Sequence, residues 1–338
     1  MKKFLVIQTA FIGDVVLALP VTQELRRKHP QAEIHFLCRK GNEGLLENHP
    51  AIDRVWSWDK KQGKLKNLRG LARELREHTF DIAYNLHRFA SSGWLMWRIR
   101  AHKKVGFAKN PLAFFLDVQV PHVIPETGGP GNHPHEVQRN LRLLDPDQAL
   151  PAVVRPKLYP SEADKEKIAD WAAKKPYIVV APASVWYTKQ WHPDQWKKML
   201  ALLPESLRVY VIGGPGDRDF CEQFLAAHPN AVNLCGELSL LQSAALMRDA
   251  VRVLVNDSAP QHFASAMNAP TTALFCSTIP AFGFGPLAED AIVAEVEEPL
   301  PCRPCGLHGH KACPEGHFNC ALKIDPQKVV NTIGLPAS

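Results

Sequence analysis

Val253-Leu254-Val255-Asn256-Asp257-Ser258-Ala259-Pro260-Gln261-His262-Phe263-Ala264 reads as an apolar strand that ends in polar residues and turns into a helix of small residues. A strand, a polar turn and a helix in immediate succession are the unit of an open α/β sheet, where ligands collect at the carboxyl ends of the strands. The same alternation runs outward in both directions. Strands are expected at 177–181, 208–212, 252–255 and 271–275, with helices at 193–203, 217–228, 240–250 and 261–268. An earlier series pairs strand 3–8 with helix 15–28, strand 33–38 with a helix near Leu45, and strand 81–86 with helix 91–100. Between the two series lies 121–160, rich in Pro and Gly, with a helix-like stretch at 135–144. The chain therefore reads as two Rossmann-like α/β domains, 1–155 and 156–338, the second carrying a Cys-rich segment at 301–320. A cleft between facing domains is the expected place for a substrate.

At 338 residues the chain exceeds one ordinary core and suits two domains. With 46% hydrophobic and 22% charged residues it has a globular composition, which excludes disordered and fibrous classes. The charge is uneven. Residues 1–150 carry 23 Lys and Arg against 15 Asp and Glu, and the remainder 17 against 19. A basic first half suits an anionic partner, although a solvated basic face gives the same count. Gln8, Thr9, Gly13 and Asp14 interrupt the apolar start, so it reads as a buried strand rather than an export signal. No run approaches the roughly 20 apolar residues of a spanning helix. A cytoplasmic protein with at most peripheral membrane contact is expected.

Four strand ends carry candidate chemistry. Gly13-Asp14 places a carboxylate at or beside a helix N-terminus, either as a cap or as a base for an attacking hydroxyl. The loop lacks a GxGxxG pattern, which weakens a nicotinamide enzyme. After 177–181, Ser184, Thr188 and Lys189 offer hydroxyls and an ammonium to a diphosphate. Gly213-Gly214-Pro215-Gly216 closes another strand and leaves Asp217 within reach of a ribose hydroxyl. At the fourth end, Asp257 and Ser258 suit sugar hydroxyls or a helix cap, and His262 suits either a ligand contact or a satisfied core position.

Taken together, Ile12-Gly13-Asp14-Val15-Val16-Leu17, Leu25 to Pro30, Ser184 to Trp191, Cys235-Gly236 with Ser239-Leu240, and Asp257-Ser258 with His262 resemble glycosyltransferase family nine, the ADP-heptose:lipopolysaccharide heptosyltransferases. The resemblance runs nearly end to end and implies a GT-B fold and an inverting transfer from a nucleoside-diphosphate sugar. It implies Asp14 as general base and a donor site of Ser184, Thr188, Lys189, Asp217, Leu238, Asp257, Ser258, Ala259 and His262. It also implies an ADP-heptose-like donor and a phosphorylated, lipid-linked inner-core oligosaccharide as acceptor, met at the cytoplasmic face of the inner membrane. Two departures blur the donor sugar: Ala259 stands where the family often has glycine, and Phe275-Cys276-Ser277-Thr278-Ile279-Pro280 replaces a more usual Phe-Gly-Pro-Thr run.

Departure of a diphosphate requires charge stabilisation and proton removal, which a lysine, helix N-termini and a carboxylate supply. No cofactor or catalytic metal is therefore expected. Cys302, Cys305, Cys313 and Cys320 have a spacing compatible with a structural zinc, with free thiols under a loop as the alternative. Two other readings stay open. One is a GT-B sugar-nucleotide epimerase or a transferase of another hexose. The other is a basic, metal-stabilised nucleic-acid-binding protein, against which the basic residues are dispersed rather than grouped with stacking aromatics, so no nucleic-acid partner is expected.

Overall fold

The computed structural model describes residues 1–128, 133–147 and 149–334. Of the Pro- and Gly-rich stretch, residues 129–132 and 148 lie outside the described residues, as do 335–338 at the end of the second domain. The chain divides into two compact units: Met1–Ile124 with Pro134–Tyr159, and the residues from Pro160 onward together with the described part of 125–133.

The first unit is built on β1 (Lys3–Ile7), β2 (Glu33–Arg39), β3 (Arg54–Trp58), β4 (Thr79–Asn85), β5 (Arg100–Phe107) and β6 (Val118–Val120). They form one parallel sheet in the order β3-β2-β1-β4-β5-β6. Its helices are α1 (Ile12–Lys28), α2 (Lys64–Leu75), α3 (Ala90–Arg98) and α4 (Glu136–Leu141). Both faces of a parallel sheet must be covered, and alternation along the strands sorts the cover. Leu5, Ile7, Leu37 and Phe80 join Leu68, Leu71 and Leu75 of α2 and Leu95 and Met96 of α3 in one apolar cluster. α1 packs with α4 instead, and Asn140 Nδ2 donates to the Leu17 carbonyl at 3.1 Å.

The second unit repeats the plan with β7 (Tyr177–Ala181), β8 (Arg208–Val211), β9 (Ala231–Asn233), β10 (Val253–Asn256), β11 (Thr271–Phe275) and β12 (Ala291–Glu295). The order is β12-β11-β10-β7-β8-β9, again parallel throughout. Its helices are α5 (Glu162–Ala172), α6 (Pro193–Ala201), α7 (Arg218–Leu225), α8 (Leu240–Arg248), α9 (Ala259–Met267), α10 (Asn319–Leu322) and α11 (Pro326–Asn331). Ile178 and Val180 pack with Trp196, Met199 and Phe224 of α6 and α7. Tyr177 and Tyr210 point the other way, their hydroxyls donating to the carbonyls of Leu246 and Trp171 on α8 and α5, each at 3.0 Å.

The two sheets are a GT-B pair of Rossmann-like units, and in each the strand order reverses beside a central strand, at β1 and at β10/β7. The strands expected from sequence are present, but β3, β5, β6, β9 and β12 were not anticipated. β5 begins Arg100-Ala101-His102-Lys103-Lys104 with mostly exposed side chains, so it has no apolar run to announce it. β9 and β12 end their sheet, with side chains that are at most partly covered.

Candidate functional site

The helix after β1 starts at Ile12, earlier than the apolar pattern indicates, so Asp14 is its third residue. There the carboxylate accepts a hydrogen bond from the Phe11 N–H at 3.1 Å and lies at the positive end of the helix dipole. These contacts favour the ionised form. Burial opposes them, and so does the nearby Glu136 carboxylate; together they raise Asp14 to about 6, against the pull of Arg88 and the backbone amides. A half-buried carboxyl poised near neutrality is suited to accept a proton.

Glu136, the first residue of α4, is held in place by a buried relay. Arg88 Nη1 lies 3.1 Å from His122 Nδ1, and His122 Nε2 lies 3.1 and 3.0 Å from the two Glu136 oxygens. Arg88 has only hydrogens to offer, so Nδ1 accepts and Nε2–H donates. Arg139 Nη1 donates to Glu136 Oε2 at 2.9 Å. Burial alone would raise Glu136, but the His122 hydrogen bond and the Arg139 guanidinium outweigh it and bring it down to about 2. A permanent negative charge therefore stands near Asp14.

Cations gather at the same strand ends. Lys60 Nζ donates to the Thr9 carbonyl at 2.5 Å and sits 4.5 Å from the centre of the Trp58 ring. Burial, with Arg39 and Lys64 nearby, lowers Lys60 to about 8. His87 contacts the Thr9 hydroxyl through Nδ1 at 3.1 Å, and burial with the fields of Lys60, Arg88 and Lys64 lowers it to about 3, which keeps it neutral. Lys60, His87, Arg88, His122 and Glu136 were not singled out by the sequence. They come from four separate segments, and only the order of β1, β3, β4 and β6 brings them to one end of the sheet, with Arg88 and Glu136 near Asp14.

In the second unit the expected donor residues fall into three groups. Lys189, Asp257 and Ser258 converge at the ends of β7 and β10. Lys189 Nζ lies 2.6 Å from Asp257 Oδ2, with side chains 15% and 7% exposed. Thr278 Oγ1 donates to the same oxygen at 2.6 Å. Asn256 ties the loops together, accepting from the Trp191 N–H at 3.1 Å and donating to the Pro182 carbonyl. Ser258 occupies the N-cap position of α9 without a side-chain cap, its hydroxyl 3.4 Å from the Asn256 carbonyl. Asp257 is thus engaged by Lys189 and Thr278. Ala259 opens α9, and His262 is buried within it.

Ser184 and Thr188 frame the same loop differently. The Ser184 carbonyl accepts from Gln190 Nε2 at 2.7 Å, whereas Thr188 is buried and its hydroxyl accepts from the His310 N–H at 2.7 Å. The Thr188 N–H in turn donates to the His310 carbonyl at 3.1 Å, so Thr188 anchors the Cys-rich segment. Gly309 makes this approach possible: its φ is +74°, and a Cβ there would come within 2.8 Å of Thr188 Oγ1. Asp217 and Leu238 stand apart, at the ends of β8 and β9. Asp217 Oδ2 accepts from the Gly214 N–H at 2.8 Å and so closes the glycine turn. Leu238 is half-buried on the loop before α8.

The expectation of a zinc site finds no support in the side-chain arrangement. Among the described residues no group of three or more His, Cys, Asp or Glu side chains is arranged to hold a metal. The four cysteines are free. Cys320 is buried in the apolar core with Phe318 and Ile324, and burial raises it to about 11. Cys302 Sγ lies 3.9 Å from His317 Nε2. The segment is instead strapped down by backbone bonds. The Cys305 N–H donates to Ser277 O at 2.7 Å, and the Arg303 guanidinium to the carbonyls of Phe275, Cys276 and Thr278 at 3.1, 2.7 and 2.8 Å.

No described helix is long and apolar enough to cross a membrane. The sequence model of glycosyltransferase family 9 (heptosyltransferase) matches residues 68–312. Lipopolysaccharide heptosyltransferase 1 of Pseudomonas aeruginosa is 26% identical over 320 residues, covering 90% of this chain and 86% of its own length. The structure of ADP-heptose lps heptosyltransferase II from E. coli superposes with a TM-score of 0.80 at 23% identity, covering 99% of this chain and 98% of the other. The family 9 glycosyl transferase structure from Veillonella parvula gives 0.84 at 20% identity, covering 98% and 96%.

Proposed function

The chain belongs to glycosyltransferase family 9, and from this premise we propose that it transfers a heptose, with inversion, from an ADP-heptose-like donor to a phosphorylated lipid-linked inner-core oligosaccharide of lipopolysaccharide. The first unit takes the acceptor and the second takes the donor. The observation that carries this reading is Asp14: a carboxyl beyond the sheet's central strand, raised to about 6, with Arg88 nearby and Lys60 at the neighbouring Thr9 carbonyl to suit an anionic acceptor.

In the reaction, the acceptor hydroxyl attacks the anomeric carbon while the bond from that carbon to the diphosphate oxygen breaks. Asp14 takes the hydroxyl proton, and ADP leaves on the opposite face. Lys189 exchanges Asp257 for the departing diphosphate, aided by the amide dipoles at the start of α9. Ser184, Asp257, Ser258, Ala259 and His262 line the donor, Thr188 acts through the loop it anchors, and Asp217 with Leu238 receive the nucleoside. The chemistry uses side chains and backbone amides, so turnover survives a chelator; loss of turnover by a still-folded, chelator-treated enzyme refutes a metal-free reaction. The enzyme works at the cytoplasmic face of the inner membrane, in peripheral contact with an anionic surface.

A thermal-shift series with ADP-, UDP- and GDP-sugars beside a short DNA duplex tests the donor. Stabilisation by the ADP-sugar is expected. Stabilisation only by another nucleotide sugar moves the assignment to a different transferase or an epimerase, and stabilisation only by the duplex overturns it.

A further inference from the structure

α2 buries Leu68, Leu71, Ala72 and Leu75 and thereby turns Arg69, Arg73 and Arg76 outward along one line of the helix. These three, with Arg98, Trp94 and Ala72, line a cavity of about 380 Å³. Its lining contains no carboxylate. Among the described residues, none of these arginines has an ion pair, whereas exposed Lys40, Arg218, Arg248, Lys323 and Lys328 each have an acidic partner. Like charges around one concavity repel, so the arrangement is most stable with an anion in it. Guanidinium groups also match phosphate oxygens in pairs.

Beside the cavity runs an exposed aromatic ridge. The Arg98 guanidinium stands 5.9 Å from the Trp94 ring centre and 5.1 Å from that of Trp97. Trp97, 46% exposed, stacks on Phe115 with centroids 5.4 Å apart, and Phe114, 67% exposed, lies 4.3 Å from Phe115. Leaving such rings in water is unfavourable, and a cationic well joined to amphipathic aromatics matches the boundary between lipid headgroups and acyl chains.

We propose that the α2–α3 face, with Arg69, Arg73, Arg76 and Arg98 around the cavity and Trp97 and Phe114 on the ridge, docks on an anionic phospholipid bilayer. This rests on the reading that the enzyme meets a membrane, and it names the surface that does so. Phosphates enter the arginine well while the rings settle among the headgroups. An anionic surface attracts each nearby arginine with a factor of about five in binding.

The test is co-sedimentation of the full chain with vesicles of phosphatidylcholine, with and without phosphatidylglycerol. The wild type is expected to sediment with the anionic vesicles alone and to be released by salt. Arg69→Gln/Arg73→Gln/Arg76→Gln should lose about tenfold or more of that binding, with its circular dichroism unchanged. Trp97→Ser/Phe114→Ser should shift release to lower salt. If the wild type ignores anionic vesicles, the membrane reading falls. If it binds them and both variants bind equally, that reading stands and this surface is wrong. Release by a few millimolar inorganic phosphate at matched ionic strength marks an isolated anion pocket and overturns the bilayer assignment.

Discussion

Asp14 and Asp257 both stand where the strand order of their sheet reverses, Asp14 beyond β1 and Asp257 beyond β10, yet their surroundings are opposite. Asp257 has a cation in direct contact, Lys189 at 2.6 Å, and a hydroxyl donor on the same oxygen. Asp14 has amide donors and, nearby, a second carboxylate that the His122 relay and Arg139 keep ionised. Asp257 is tied to a lysine and a hydroxyl, whereas burial and then a like-charged neighbour raise Asp14 to where it can take a proton. The same residue type beside the reversal of each sheet is thus set up for proton transfer in one unit and for holding a lysine in the other.

The sharpest way to break this contrast is to neutralise each side. Asp14→Asn keeps the oxygen that accepts from Phe11 and should lower transfer by about 10²–10⁴-fold, read as ADP release, while calorimetric donor affinity stays near that of the wild type. Turnover at the wild-type rate removes Asp14 as the base. Lys189→Met should lower turnover by about 10²–10³-fold. It also strands Asp257, and breaking a largely buried pair costs about 3 kcal/mol in stability, visible in denaturant titration. Lys189→Met/Asp257→Asn should regain that stability without regaining activity. If stability stays lost, the pair is not what holds these loops.

Both carboxylates were legible in the sequence because each depends on neighbours only a few residues away: an apolar strand, a polar turn, a helix of small residues. Partners were not legible. Lys189 and Asp257 are 68 positions apart, and nothing in either loop announces that the lysine is already paired. The relay is further out of reach, since Arg88, His122 and Glu136 meet only once β4, β6 and α4 are placed. Glu136 and Arg139 lie in the helix-like stretch 135–144, where nothing sets them apart. The cysteines show the converse: spacing was visible, whereas the outcome depended on Cys320 entering the apolar core and on backbone bonds from Cys305 and His310 that no spacing rule encodes.

The finest test concerns the relay itself. With Asp14 at about 6, a carboxylate base gains activity as pH rises through that value, so kcat/KM should fall on the acid side below about pH 6. Glu136→Gln removes the neighbouring negative charge, makes the Asp14 proton easier to lose, and should move the acid limb down by about half a pH unit. The stability contributions have opposite signs. Asp14 binds its proton more tightly folded than unfolded, so its favourable contribution is full below about 3.8 and is lost as pH rises through about 6. Glu136 binds its proton less tightly when folded, so its contribution is present above about 4.5 and lost as pH falls towards about 2. Glu136→Gln should therefore melt lower at neutral pH, and Asp14→Asn should not. An acid limb unmoved in a folded Glu136→Gln enzyme means that the second carboxylate does not tune the base, and burial alone then accounts for Asp14.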